Sequence, residues 1–540
     1  MPAPVHTRPL VLAALLVAAG VAAAEPAPGG LQPEKNLCAD PAEPVALGSA
    51  QWNGWGRDLD NTRYQPEPAI RATDVPKLSL KWAFGYQGSA VSGQPTIVDG
   101  RVFVTSATGR VYSLDSKTGC TYWTYDAQAG IRTAVSIGEL APPKKAPKPK
   151  KSQRKRTLTH LDVQKAPSAV FFGDDKGAVY ALDAKKGTLL WKTQIDGHPT
   201  ARIQAAPTLY QSRLYVAVAS SEPSAAADSG YACCTFRGSV AALDIADGHV
   251  LWKTHTVNEE PRPYRTSKAG IQQFGPAGVP VLASPTVDTS RGLLYVATGD
   301  SYTAIDQPLA DAVVALDLAD GQLRWVKQPT PPEAGAAEFD ASPILRTLAS
   351  GKQIILAAQR SGLIYSLDPD RAGEILWQIK AADGKAGGVE WGAAADHHSL
   401  YVALSGQSAQ PEDTSGSLTA LDLKTGAKRW QTEAPTPRCS WGEQGCTHAQ
   451  AQAVTVIPGV AFCGSMDGHL RAYSTIDGKI LWDTETAKEF ATVNGVKASG
   501  GSLDQGGATI VNGVVYVNSG YGQRTGQPGN VLLAFSVDGH

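Results

Sequence analysis

The sequence predicts an all-β chain folded as an eight-bladed β-propeller with tryptophan-docking blade repeats, and three observations carry that reading. The first is a recurring unit, Gly-x-apolar-x-Ala/Ser-Leu-Asp, followed by a Gly-containing turn, apolar residues and a Trp. It runs Gly109 to Asp115 with Trp123, Gly177 to Asp183 with Trp191, Gly238 to Asp244 with Trp252, and Asp311 to Asp317 with Trp325. It continues at Gly362 to Asp368 with Trp377, Gly416 to Asp422 with Trp430, and Gly468 to Ser474 with Trp482. The second is spacing: the later tryptophans recur about every 50 residues, the period of a propeller blade, and the longer early intervals carry extra loops. The third is that the two ends complement each other. Asn530 to Ser536 begins an eighth unit that lacks its Trp, and Leu78-Ser79-Leu80-Lys81-Trp82 supplies the missing strand.

Within each unit, apolar and polar residues alternate over short runs separated by Asp-x-x-x-Gly turns, the pattern of antiparallel strands joined by hairpins. A lone four-stranded sheet cannot bury both faces. Sheets packed radially around an axis do, and pairing an N-terminal strand with C-terminal ones removes the open edges of the array. A Trp that recurs at one offset in every blade is packing, so function is sought where blades differ. One difference is the Pro- and Lys/Arg-rich insert from Pro142 to Arg156, read as a solvated loop, with contact to an anionic partner as the alternative.

At the N-terminus, His6 and Arg8 precede an apolar run from Leu10 to Ala24 that closes on Ala22-Ala23-Ala24. This is the pattern of a secretory signal peptide over residues 1–24. The mature chain is expected to begin near Glu25, with an extension over 25–50 and the propeller over 51–540, and to be periplasmic or secreted. No later stretch is apolar enough to cross a bilayer. Of the seven cysteines, Cys439 and Cys446 enclose a short loop, Cys233 and Cys234 are adjacent, and Cys38 and Cys120 could tie the extension to the first repeat. Cys463 would then be the free thiol. No Cys-x-x-Cys-His occurs, so any c-type haem sits on another protein. With 49 basic against 50 acidic residues and 18% charged, a nucleic acid is excluded as the main partner.

Beyond the blade signature, loop sequences from about Gln51 to Gly539 are specific. They include Gln51-Trp-Asn-Gly-Trp-Gly with Asn61-Thr-Arg-Tyr-Gln65, Ala129-Gly-Ile-Arg-Thr-Ala-Val-Ser-Ile-Gly138 and His198-Pro-Thr-Ala-Arg202. Further on come Cys233-Cys-Thr-Phe-Arg-Gly-Ser-Val240, Tyr295-Val-Ala-Thr-Gly-Asp300, Val493-Asn-Gly-Val-Lys497 and Asn518-Ser-Gly-Tyr-Gly522, and then Pro528 through Ser536. In these segments the chain resembles the polyvinyl alcohol dehydrogenase branch of the pyrroloquinoline quinone (PQQ) dehydrogenases.

The resemblance implies an alcohol dehydrogenase in which PQQ lies near the propeller axis beside Ca²⁺. A carboxylate removes the hydroxyl proton while hydride passes to the quinone, and a separate cytochrome c takes the electrons. The cofactor carries the hard chemistry, and the protein supplies oxygen ligands, cations and a base. For the metal, the resemblance points to Asp300, which as a strand-end turn would look the same, and to Glu222. For the cofactor's carboxylates and carbonyls it points to Arg132 and Arg360, each of which could instead be a surface or inter-blade cation. A Cys233–Cys234 disulfide against the cofactor plane is implied by the same family, with two buried thiols as the alternative. Two departures stand out. Leu282 occupies the floor position where relatives carry a stacking Trp, and the loop after Trp325 lacks the acidic residue and Trp of the family. In that loop Glu333 is the closest substitute for the catalytic acid and Asp340 the next. These departures motivate the competing expectation of a non-catalytic propeller that serves as a binding scaffold. An outer-membrane assembly factor would share the blades but not the length or the loops.

Overall fold

Each repeat folds as its turn chemistry dictates. Asp115 Oδ1 accepts from the N–H groups of Lys117 and Thr118 at 3.0 and 2.8 Å, and Gly119 adopts a φ of +71°, open to glycine and strained for other residues. Asp183 with Gly187 and Asp422 with Gly426 repeat this arrangement. The chain then reverses into the last strand of the blade, which carries the Trp.

The computed structural model describes residues 31–48, 51–88, 91–140, 167–330, 338–381, 388–406, 415–442, 445–522 and 526–540. The signal segment 1–24, the insert 142–156 and Glu333 lie outside these residues. Among the described residues, seven four-stranded sheets and one five-stranded sheet form the blades. Blade 1 consists of Thr96–Val98, Arg101–Thr105, Arg110–Asp115 and Thr121–Asp126, paired antiparallel in that order. The first strands of blades 2 to 5 are Ser136–Glu139, Thr208–Tyr210, Thr286–Asp288 and Ile344–Thr347. Those of blades 6 to 8 are Ala394–Ala395, Thr455–Ile457 and Thr509–Val511. At six of the eight junctions these first strands touch the next, which places them around the axis. Blade 8 is completed from both ends of the chain: Leu78–Gly85 pairs with Val531–Val537, and Trp82 stands opposite Ala534.

That register is the same in every blade. Trp123 faces Ser113, Trp191 faces Ala181, Trp252 faces Ala242 and Trp325 faces Ala315. The small residue of the Ala/Ser-Leu-Asp motif therefore sits across from the largest side chain. The indoles dock on the following blade, where Nε1–H donates to the carbonyl of the residue after the turn Asp or, for Trp430, after Ser474; at the seam Trp482 uses instead Leu78, the first residue of the strand Leu78–Gly85. Trp123 donates to Ala184 at 3.0 Å, Trp191 to Ile245 at 2.9 Å, and Trp482 to Leu78 at 3.0 Å, which carries the docking across the seam. Trp325 is the exception, with a buried Nε1 that lacks a partner. The turn it meets is one residue longer, with Pro369–Arg371 in a 3-10 turn where the other blades present their acceptor. Apolar side chains fill the gaps between blades; Phe103 and Trp123 of blade 1 pack with Val170, Phe172 and Tyr180 of blade 2.

Residues 51–65 form no blade strand and cross the axis instead. Trp52 exchanges backbone hydrogen bonds with Ile97 of blade 1, and the Asn53 side chain bonds both backbone groups of Ile137 in blade 2. The carbonyls of Leu59, Asp60 and Thr62 accept from Val287, Leu345 and Ala395 of blades 4, 5 and 6. Gln65 bonds Val456 of blade 7 and, through Nε2, Ile510 of blade 8. Seven of the eight blades thus hold this segment by their first strands, and the axial channel becomes a cup.

Two predictions concern stability. Gly292 and Gly321 both have positive φ, but a Cβ on Gly292 meets open space whereas one on Gly321 overlaps the Trp252 ring. Gly292→Ala is expected to cost about 1 kcal/mol, and Gly321→Ala roughly 1–3 kcal/mol more through overpacking, measured by denaturant unfolding. The second concerns Asp60, which burial, and then the neighbouring Asp58 carboxylate, push up to about 7. A carboxyl raised in the folded state contributes fully below about pH 4, and its contribution is lost as pH rises through about 7. Asp60→Asn should therefore match the parent protein near pH 4 and exceed its stability at pH 8 in urea titrations.

Candidate active site

The loops that enter the first strand of each blade, and those joining second to third strands, emerge at one end of the propeller. An axial cavity opens there. Its wall is built largely from the residues just before the first strands: Gln94 for blade 1, Arg132 and Ala134 for blade 2, Gln204 to Ala206 for blade 3, and Leu282 to Ser284 for blade 4. Asp340 and Ser342 come from the entry to blade 5, Trp391 from blade 6 and Asp504 to Gly506 from blade 8. Trp55, from the segment across the axis, completes the lining.

Of the residues expected from sequence, Arg132, Leu282 and Asp340 line this cavity. Arg132 is oriented by Asp175, with Nε at 3.1 and 3.0 Å from the two carboxylate oxygens. Arg360, on the loop between the second and third strands of blade 5, reaches the wall through Asp340. Its Nη2 lies 2.7 Å from Asp340 Oδ2, and its Nη1 also pairs with Glu338. Leu282 offers an aliphatic surface, and Trp55 and Trp391 provide the indoles of the lining.

Glu222, Cys233, Cys234 and Asp300 belong to the same end but stand back from the cavity wall. Glu222 is fully buried, and its carboxylate is engaged by its own loop. Oε1 accepts from Thr235 N–H at 2.7 Å and Tyr231 O–H at 3.0 Å, and Oε2 from Phe236 N–H at 2.9 Å. It thereby anchors the residues that follow Cys233–Cys234, which are joined as a disulfide. The Cys38–Cys120 and Cys439–Cys446 bridges also form, and Cys463 is the buried free thiol. The Asp300 carboxyl contacts that of Asp311, and burial together with this contact pushes Asp311 up to about 8. Tyr302 stands within reach of both loops: burial, then the charges of Glu222 and Asp300, raise its phenol. Among the described residues, no three His, Cys, Asp or Glu side chains cluster as a metal cage.

Sequence reasoning missed Trp55, Gln94, Trp391 and Asp504. Trp391 Nε1 donates to Asp504 Oδ1 at 2.5 Å, tying blades 6 and 8 together at the wall. A usable signal existed for the indoles: of twelve tryptophans, four (Trp52, Trp55, Trp391 and Trp441) fall outside the docking register, and two of these line the cavity.

The PQQ family model described as "glucose/ethanol/alcohol dehydrogenase, beta-propeller domain" matches residues 52–395. A polyvinylalcohol dehydrogenase of Pseudomonas sp. is 43% identical over 529 residues, spanning 93% of this chain and 79% of that protein. The chain belongs to the PQQ alcohol dehydrogenase family. A second polyvinylalcohol dehydrogenase, from Sphingopyxis sp. strain 113P3, is 40% identical over 536 residues with the same coverage. The quinohemoprotein alcohol dehydrogenase structure from Comamonas testosteroni superposes with a TM-score of 0.63 at 19% identity, covering 91% of this chain and 81% of that one, a likeness of fold. A model described as "outer membrane protein assembly factor BamB" matches residues 360–527, where the regular blade repeat is cleanest.

The cavity suits the family's cofactor on its own chemistry. A flat aromatic acid finds two indoles, Arg132 on the wall for carboxylate or carbonyl oxygens, with Arg360 behind Asp340, and two buried groups without internal partners, Gln94 Oε1 and Ser342 Oγ. Glu222 gives a test of role. Glu222→Gln should destabilise the metal-free protein by roughly 1–3 kcal/mol, because a carbonyl-amide cannot replace two carboxylate oxygens facing N–H donors. A loss seen only in the presence of calcium would assign Glu222 to the metal alone.

Proposed function

We propose that this chain is an exported PQQ- and Ca²⁺-dependent dehydrogenase that oxidises hydroxyl groups of polyvinyl alcohol or other secondary alcohols and passes electrons to a separate cytochrome c. The observation that carries it is an axial cup of indole, arginine and carboxylate groups, in a chain alike along 93% of its length to a polyvinylalcohol dehydrogenase. PQQ, when bound, supplies the electron-accepting quinone.

The chain's own residues divide the remaining work. Trp55 and Trp391 present flat apolar faces that exclude water from a planar ring. Arg132, fixed by Asp175, orients an anionic or carbonyl oxygen at the wall. Asp340 is the carboxylate that the loop after Trp325 places at the cavity, and it takes the hydroxyl proton of the substrate on Oδ. Arg360 positions that carboxylate by ion pairing. Glu333, the closer substitute by sequence position, remains part of the proposal as the alternative base. For calcium, Asp300 and Asp311 offer adjacent carboxyl oxygens, with Glu222 behind them. Such a cation takes six to eight oxygens, so backbone carbonyls and water complete the shell. Three disulfides fit an oxidising compartment. No described helix is long and apolar enough to cross a membrane.

The test is calorimetry of the mature chain with PQQ, with and without Ca²⁺, alongside dye-linked oxidation of polyvinyl alcohol and of small secondary alcohols. Saturable, calcium-dependent binding with turnover is expected. Asp340→Asn should bind PQQ normally and lose about 10²–10⁴-fold in kcat, the range for removal of a general base. Absence of PQQ binding by folded protein would overturn the proposal, and full activity of Asp340→Asn would move the base to Glu333.

A further inference from the structure

Arg63 carries a charge for which nothing above accounts. It is 1% exposed and lies in the segment that crosses the axis. Its guanidinium is held between two indoles, 4.6 Å from the centroid of Trp55 and 5.5 Å from that of Trp52. Nε donates to the Val454 carbonyl at 2.6 Å, Nη1 to the Trp55 carbonyl at 2.8 Å and Nη2 to the Thr455 hydroxyl at 3.1 Å. All three acceptors are neutral. Burial alone lowers its pKa to about 9, with no neighbouring carboxylate acting against it, and the group stays cationic at neutral pH.

A buried cation without a counter-ion is costly, and the surroundings are shaped to keep this one. A Cβ on Gly507 would overlap Nη2. The contrast with the two arginines expected from sequence is direct. Arg132 is paired with Asp175, and Arg360 with Asp340 and Glu338. Their charges are met within the protein, whereas that of Arg63 is not. Trp55 is both the ring on which Arg63 lies and part of the cavity wall. A cation–π stack leaves the positive field of the guanidinium on that side of the cavity, where the low dielectric preserves it.

The geometry points to Arg63 as the buried counter-charge for an anionic group bound in the axial cavity, a positioning residue that favours the carboxylates of PQQ through Trp55. This rests on the cavity being the PQQ site.

The experiment compares PQQ with its methyl-ester form, in which the carboxylates are neutral, by calorimetry on the parent protein, Arg63→Gln and Arg63→Lys. The parent should bind the acid at least tenfold more tightly than the ester. R63Q keeps hydrogen-bond donors but no charge, so it should lose at least tenfold in affinity for the acid while its affinity for the ester changes less than twofold. R63K should retain the preference, which a purely structural role would not produce. Folded R63Q that binds acid and ester as the parent does overturns the inference while leaving the PQQ site intact. Should R63Q not fold, the parent decides: equal affinity for acid and ester is the overturning result. A parent that binds neither form removes the cavity assignment and the inference together.

Discussion

The docking of a blade's tryptophan on the glycine turn of the next blade, made at seven of the eight junctions, is the contact on which the rest of this molecule depends. It joins three requirements in one place: a turn that needs positive φ, a residue small enough to lie under an indole, and a carbonyl aimed at Nε1–H. Seven of the eight blades offer the same turn surface and accept the same side chain. The loops at the functional end are then held at fixed positions whatever their sequence. Blade 5, where a longer turn leaves Trp325 Nε1 without its acceptor, shows that the ring contact alone keeps the geometry when the hydrogen bond is missing.

The segment 51–65 adds a second constraint, along the axis instead of around it. By bonding to the first strands of seven blades it sets the depth of the cavity and brings Trp55 into it. The electrostatics of the site follow from this layering. At the wall, arginines and carboxylates neutralise one another in pairs such as Arg132–Asp175 and Arg360–Asp340. Beneath it, Arg63 meets only neutral oxygens and aromatic faces. The charge that the inference above assigns to the cup therefore belongs to a residue that is not part of its lining.

The blades were legible in the sequence because they repeat: period, turn residue and Trp recur often enough to set the register, and the split eighth blade followed from a missing Trp at one end and a spare one at the other. The disulfide pattern was legible in part: Cys439 and Cys446 enclose a short loop, Cys38–Cys120 was a possible tie, and Cys233–Cys234 was implied by the resemblance with two thiols as the alternative; all three bridges form. The site was legible only in part. Arg132, Leu282 and Asp340 come to the wall because they sit in loops that enter first strands, a phase the repeat itself defines. Glu222 and Asp300 sit in longer loops whose path no periodicity constrains, and their carboxylates face N–H donors or another carboxyl. Trp391 and Asp504 meet across 113 residues of sequence, a contact that local sequence does not announce. Arg63 reads as an ordinary polar residue in a loop, and its burial depends on a chain segment crossing an axis that local sequence does not reveal.

The joining of residues 78–85 to residues 531–537 has a consequence for how the protein is made. Until its final strand emerges, the chain can exist only as an open horseshoe, with blade 8 incomplete and the indole of Trp482 facing solvent where Leu78 should stand. The earliest and latest parts of the polypeptide must find each other across nearly the whole molecule, a high-contact-order step of the kind that folds slowly. The most vulnerable interval in the life of this protein is therefore the one before residues 531–537 are made and paired, when two exposed strand edges invite a neighbouring chain to complete the ring in trans.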